Sequence, residues 1–166
     1  MMNLVWKLPV SLNGCAIVDI ETTGLYPERD EIVTLGVVHH NVLRVFQRTT
    51  ESAKEFLEFS RRWCYKNLQD KERFAYNCMF ETNWLNLSFS ELQPFNYARK
   101  EDLFNISSRL LHDPLHSGAN VPYAWRSYWE KGDLKALEAI VLHNKTCLFK
   151  ELAILLTHRL QGGIQR

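Results

Sequence analysis

The stretch "CAIVDIETTGL", Cys15 to Leu25, constrains the fold most. Its first half is a short, uninterrupted, β-branched apolar run, which reads as a buried strand. At its end two acids, Asp19 and Glu21, stand one residue apart. Side chains alternate faces along a strand, so Asp19 and Glu21 share one side while Ile20 points to the other. Two carboxylates held together raise the free energy of the doubly ionised form unless a proton or a cation joins them. A hard divalent ion suits such a pair, because Mg²⁺ takes oxygen ligands and often binds only one or two carboxylates beside water and phosphate.

Around this strand the chain alternates extended and helical patterns. The pair Asn13-Gly14 reads as a turn before it. After it, "EIVTLGVVHH" and "VLRVFQRTT" read as two further strands separated by a tight turn at His40-Asn41, giving three strands of one antiparallel meander. Ser52 to Leu68 places Phe56, Phe59, Trp63 and Leu68 at helical spacing and predicts an amphipathic helix packed on the sheet. "RFAY" is a short strand, and Asn77 is a helix N-cap for "CMFETNWLNL". An extended piece around "FNYA" precedes a helix in "EDLFNISSRLLH", and "HDPLHSGANVP" is a breaker-rich loop. The last helix runs from about Asp133 to Leu160, with Leu137, Ile140, Val141, Leu148, Leu152 and Leu155 at helical intervals and Gly162-Gly163 as its stop. This order predicts an α/β chain in which helices flank one central sheet.

A length of 166 residues fits one domain, 1–166, with a substantial core. With 46% hydrophobic and 23% charged residues the composition is that of a globular protein, not a disordered one. A net charge of +1 supplies no global field toward a polyanion, so contact with nucleic acid has to come from local basic groups or bound metal. Cys15, Cys64, Cys78 and Cys147 are scattered with no CxxC pair, which argues against a zinc ribbon or a disulfide framework and favours a reducing, cytoplasmic home. No run reaches the length of a membrane span, and the start of the chain lacks the uninterrupted apolar core of a secretory leader.

"DIETTGL" followed by "DEIVTLG" resembles the first motif of the DEDD, or DnaQ-like, 3′-to-5′ exonucleases, which have a ribonuclease H-like fold. "FAYNCMFETNWL" is similar to their second motif, with Glu81 where that family usually has Asp. "VPYAWRSYWEKGDLKALEAIVLHNKTCLFKEL" resembles the C-terminal part of the YprB-like branch. The three blocks stand in the family's order. The resemblance implies a ribonuclease H-like fold, a central mixed sheet flanked by helices, with two Mg²⁺ or Mn²⁺ ions acting on a single strand or 3′ end of nucleic acid. It also implies Asp19, Glu21, Glu81 and His143 as catalytic residues, with Asp19, Glu21, Glu81 and Cys147 at the metal positions. Thr22, Thr23, Leu25, Asn77, Asn144 and Arg126 are the implied substrate contacts.

The departures lie in the last block. His143 stands where the family has tyrosine, and Cys147 where it has the fourth acid. His143 and Cys147 are four residues apart and share one helix face. Sulfur is a soft donor and Mg²⁺ a hard ion, so this change predicts weak or manganese-dependent activity. Glu151 lies one further turn along, a displacement of about 5.4 Å, and is a poor replacement on that ground. Near the last helix, Arg126 and Lys131 with Tyr123, Trp125, Tyr128 and Trp129 offer phosphate binding and base stacking, although at least half of those rings are expected in the core. Arg61, Arg62 and Lys66 read as a solvated helix face. Two functions follow: a metal-dependent 3′-to-5′ exonuclease, or a degenerate relative that binds nucleic acid or a protein partner without cutting.

Overall fold

The computed structural model describes residues 1–97 and 103–162. A four-stranded mixed sheet in the order β2-β1-β3-β4 forms its centre. Strands β1 (Met2–Thr22) and β2 (Ile32–Gln47) are long antiparallel partners, and β1 then pairs in parallel with β3 (Glu72–Ala75), which pairs in parallel with β4 (Ser90–Glu91). Helices α1 (Ala53–Leu68) and α2 (Cys78–Leu85) cover one face. The other face carries α6 (Leu134–Gly162), with α3 (Gln93–Tyr97), α4 (Leu103–Leu110) and α5 (Val121–Lys131) packed against it.

The predicted meander is corrected: the two segments after the first loop form one strand. His40 and Asn41 do not turn the chain back; they sit where the β1–β2 register shifts, and His40 takes a positive φ of 54° to absorb it. Opposite them, Gly14, with φ of 75°, lies inside β1 in place of the predicted turn. The strand therefore begins at Met2, and Met2 to Lys7 pair with Val42 to Gln47 beyond the irregular stretch. Phe95 to Tyr97 of the piece around "FNYA" are also corrected, from extended to the short helix α3, and Ala98 lies outside the described residues. Gly163, one of the two glycines expected to stop the last helix, lies outside the described residues.

Sequence and local structure agree at α1. Ser52 caps it, its hydroxyl accepting from the Glu55 N–H while the Glu55 carboxylate accepts from the Ser52 N–H, a reciprocal capping box. Phe56, Cys64 and Leu68 are buried against the sheet. Arg61 is corrected from a solvated position: its Nε donates to the Trp84 carbonyl at 2.8 Å and ties α1 to α2.

The alternation along β1 decides where the acids go. Ala16, Val18 and Ile20 pack with α1 and α2, while Cys15 and Ile17 pack with Val141, Leu148 and Leu152 of α6. Asp19 and Glu21 continue the second set and so meet α6 as the strand ends. The loop Thr23–Glu31 then closes the hairpin, with the Thr23 N–H donating to the Glu31 carbonyl at 2.8 Å and the Glu31 N–H donating to Thr23 Oγ1 at 2.9 Å.

Candidate metal centre

Gly36 lies opposite Asp19 in the β1–β2 ladder. A Cβ there would stand 2.0 Å from Asn144 Oδ1 and 2.7 Å from a Leu148 methyl, so glycine opens the slot through which α6 reaches the strand. The Asn144 side chain enters it and donates from Nδ2 to the Asp19 carboxylate at 2.8 Å and to the Asp19 carbonyl at 3.2 Å. Burial pushes the Asp19 carboxyl up to about 7, against the opposing pull of Lys150 and the Asn144 amide. Its charge is thus poised to appear near neutral pH.

Glu21 is buried beside it. Burial, the neighbouring Asp19 charge and more weakly Asp113 and Glu81 hold its carboxyl well above the ordinary range, with Asn144 pulling the other way. Glu81, in the first turn of α2, is 4% exposed, and burial and the Asp19 charge raise it likewise. Glu151 on α6 is 1% exposed, raised by burial and then by Asp19, Glu81 and Glu21. One oxygen of each of the last two, Glu81 Oε2 and Glu151 Oε2, is buried with no hydrogen-bond partner. A buried carboxylate oxygen without a donor is costly, and a divalent cation is the partner whose chemistry answers it. The carboxylate side of the site fits a hard ion.

Glu151, expected to lie one helical turn too far along, is buried on α6 and feels the charges of Asp19, Glu81 and Glu21. The long helix crosses the end of β1, and Asn144, Cys147 and Glu151 occupy successive turns of the face turned to the acids. The sequence carried a sign of this: these polar residues stand among the apolar positions of α6, where a solvated side chain has no place.

His143 is fixed by a residue that nothing in the sequence singled out. Asp113, from the loop after α4, faces His143 Nδ1 with both oxygens, at 2.8 and 2.9 Å. Burial pushes the Asp113 carboxyl up, but the His143 hydrogen bond and charge and the backbone N–H groups of Leu115 and His116 outweigh it, so the carboxyl is held low. An ionised Asp113 can only accept, so Nδ1 carries the hydrogen and Nε2 turns to the acids, 3.7 Å from Glu21 Oε1. Lys150 Nζ, buried, lies 3.8 Å from Asp113 Oδ2 and 4.6 Å above the Phe104 ring. Cys147 Sγ lies 3.9 Å from His143 Nε2, and burial followed by the Asp19 and Glu21 charges pushes its thiol well up.

A cavity of about 540 Å³ opens over this cluster. Asp19, Glu21 and Glu81 line it, together with Thr22, Leu25 and Asn77 of the expected substrate contacts. Leu25 is 69% exposed at its edge. Asn77 occupies the N-cap position of α2 with no side-chain capping bond, which leaves its amide to the cavity. The Thr22 hydroxyl donates to the Gly24 carbonyl at 2.6 Å. Three expected contacts are placed elsewhere: Thr23 supports the hairpin, Asn144 is committed to Asp19, and Arg126 is exposed on α5 and does not line the cavity. Of the nearby aromatics, Trp125 is buried and, with Trp129, stacks on the Arg48 guanidinium, at 4.8 and 5.3 Å.

Among the described residues no helix is long and apolar enough to cross a membrane. No curated protein matches the sequence. Among solved structures, one described as "apo form of the nuclease" is 12% identical, with 91% of this chain and 75% of that chain covered and a TM-score of 0.49, a likeness too distant to bear on function. A family model, RNase_H_2 of the RNase_H superfamily, matches residues 16–114. That segment exceeds half of the chain and carries Asp19 and Glu21 on the central strand, Glu81 on the helix beside it and Asp113 behind His143, and by it the chain belongs to the RNase H superfamily.

Proposed function

We propose that the protein is a metal-dependent nuclease that removes nucleotides stepwise from the 3′ end of single-stranded DNA or RNA, as the resemblance to the DEDD exonucleases implies. The observation that carries the reading is a set of four carboxylates, the buried Glu21, Glu81 and Glu151 with the half-buried Asp19, in which two oxygens are left unpartnered. Asp19, Glu81 and Glu151 would hold one divalent ion, and Glu21 on its α6 side would help to hold a second. Bound divalent ions supply charge neutralisation at the phosphodiester and make an attacking water more acidic.

The chain's own residues do the rest. Asn144 fixes the direction of the Asp19 carboxylate. His143, held by Asp113 at Nδ1 with Nε2 turned to Glu21, fixes the α6 edge at which the second ion would sit. Leu25 offers apolar surface to a terminal base, and the Asn77 amide offers hydrogen bonds to it or to its sugar. Glu151 stands in for the acid absent at position 147, which favours an active enzyme over a degenerate binder.

Incubating 5′-end-labelled single strands with Mg²⁺ or Mn²⁺, beside an Asp19→Ala control, tests this. A ladder shortening from the 3′ end, absent from the control, is the expected result. Binding by both proteins with no shortening in either ion supports the degenerate binder instead.

A further inference from the structure

Three donors of unlike chemistry converge on the α6 side of the site. A Glu21 carboxylate oxygen, a His143 ring nitrogen and Cys147 Sγ lie within 4.8 Å of one another, with His143 Nε2 3.7 Å from Glu21 Oε1 and 3.9 Å from Cys147 Sγ. Glu21 and His143 are buried and Cys147 is half-buried. Asp113 takes the Nδ1 hydrogen of His143, so the lone pair of Nε2 faces the other two donors. A carboxylate behind a ligating imidazole is how metal sites fix the ring and its tautomer. The turn Gly118–Asn120 lies over these donors, and because Gly118 has no side chain the space beside Glu21 Oε2 and His143 Nε2, where a Cβ would stand 3.8 Å from each, stays open.

This set does not fit Mg²⁺, which takes oxygen donors in near-octahedral geometry. Imidazole nitrogen, thiolate sulfur and one carboxylate oxygen are the donors of zinc, and three of them with a fourth position open is the pattern of a catalytic zinc site. The spacing about His143 also fits. Zinc–sulfur and zinc–nitrogen bonds of about 2.3 and 2.0 Å sum to about 4.3 Å, more than the 3.9 Å between Sγ and Nε2. An ion can sit off the line between them without either donor retreating.

We propose that Glu21, His143 and Cys147 form a three-ligand Zn²⁺ site with its open position toward the cavity, so that the pair of ions is mixed: a hard ion on the carboxylates and zinc beside it. The proposal rests on the nuclease reading for the task of the ion, though not for its binding. On binding, the Cys147 thiol loses its proton to solvent and the sulfur coordinates as thiolate.

The full chain, stripped by a chelator and kept reduced, is titrated with Co²⁺ as a coloured substitute and then with Zn²⁺. The expected result is a near-ultraviolet thiolate-to-cobalt charge-transfer band that one equivalent of Zn²⁺ bleaches and a large excess of Mg²⁺ does not. Cys147→Ser should abolish the band and weaken Zn²⁺ binding at least tenfold, and Cys147→Ala serves the same purpose should the serine variant not fold. Cys147→Asp should shift preference from Zn²⁺ toward Mg²⁺ and Mn²⁺. No band in the parent protein, or a band and Zn²⁺ affinity unchanged in the Cys147 variants, overturns the site. These readouts need no nucleic acid, so a protein with the band that cuts no strand keeps the site and loses the nuclease reading. Strand cleavage with Mg²⁺ and no band has the reverse meaning.

Discussion

The two halves of the metal centre are built on opposite principles. On one side, Asp19, Glu81 and Glu151 bring like charges together from a strand and two helices and leave Glu81 Oε2 and Glu151 Oε2 unpartnered. On the other, His143 is satisfied in advance by Asp113, and Lys150 balances that acid in turn. The first half is strained until a cation arrives; the second is organised before one does. The contrast teaches that the apo protein holds its instability at the carboxylates and its rigidity at the histidine, a division suited to a centre whose geometry must survive loss of its ions.

The largest break in this comparison is at Asp19, which belongs to both halves through its contact with Asn144 and its field on Glu21. Asp19→Asn is expected to lower cleavage at least a thousandfold, about 4 kcal/mol of barrier, measured as initial rates on a labelled strand with Mn²⁺. A loss under tenfold would place the ion elsewhere.

The strain of the carboxylate half has a pH signature. Asp19 holds its proton to about pH 7 in the folded state, whereas an ordinary aspartate releases it near 3.8. Between those values the folded state binds more protons than the unfolded chain. The stability of the metal-free protein must therefore fall as pH rises through this window and be lowest above it, by roughly 2 to 4 kcal/mol. Denaturant melts in chelator at pH 5 and pH 8 measure the fall, and Mn²⁺ should reverse it at pH 8. A metal-free protein more stable at pH 8 would contradict the strained half.

Gly36 sharpens the comparison from the side of packing. Gly36→Ala forces Asn144 and Leu148 away from the strand and is expected to cost about 1 to 3 kcal/mol, read by chemical denaturation, with loss of activity through a released Asp19. A smaller effect is expected at Glu151. Glu151→Gln removes a buried ionisable group and should stabilise the metal-free protein at pH 8 by about 1 kcal/mol while it weakens Mn²⁺ binding, seen by melting with and without the ion.

Much of this was legible in the chain. The alternation of "CAIVDIET" placed Asp19 and Glu21 on one face, and the face turned out to be the one that α6 covers. The capping box at Ser52 and Glu55 and the apolar spacing of Phe56 and Leu68 gave α1 because those rules act within a few residues. The first strand was hidden, because Lys7 and Pro9 break its pattern and its pairing with Val42 to Gln47 depends on irregular geometry at Gly14 and His40. Asp113 was illegible for a related reason: 30 residues separate it from His143, and nothing local marks an acid in a loop as the partner of a distant imidazole. Glu151 is visible in the sequence, but its surroundings are not. Spacing along a helix gives the distance from Cys147, whereas the crossing of α6 over the strand end decides the distance to Asp19.

The central claim is that the buried acids exist to hold divalent ions. A manganese-soaked crystal examined by anomalous scattering tests it most directly. The account predicts a strong peak bounded by carboxylate oxygens of Asp19, Glu81 and Glu151, with Asn144 still donating to Asp19. Carboxyl groups that share protons with one another and enclose no peak would contradict it.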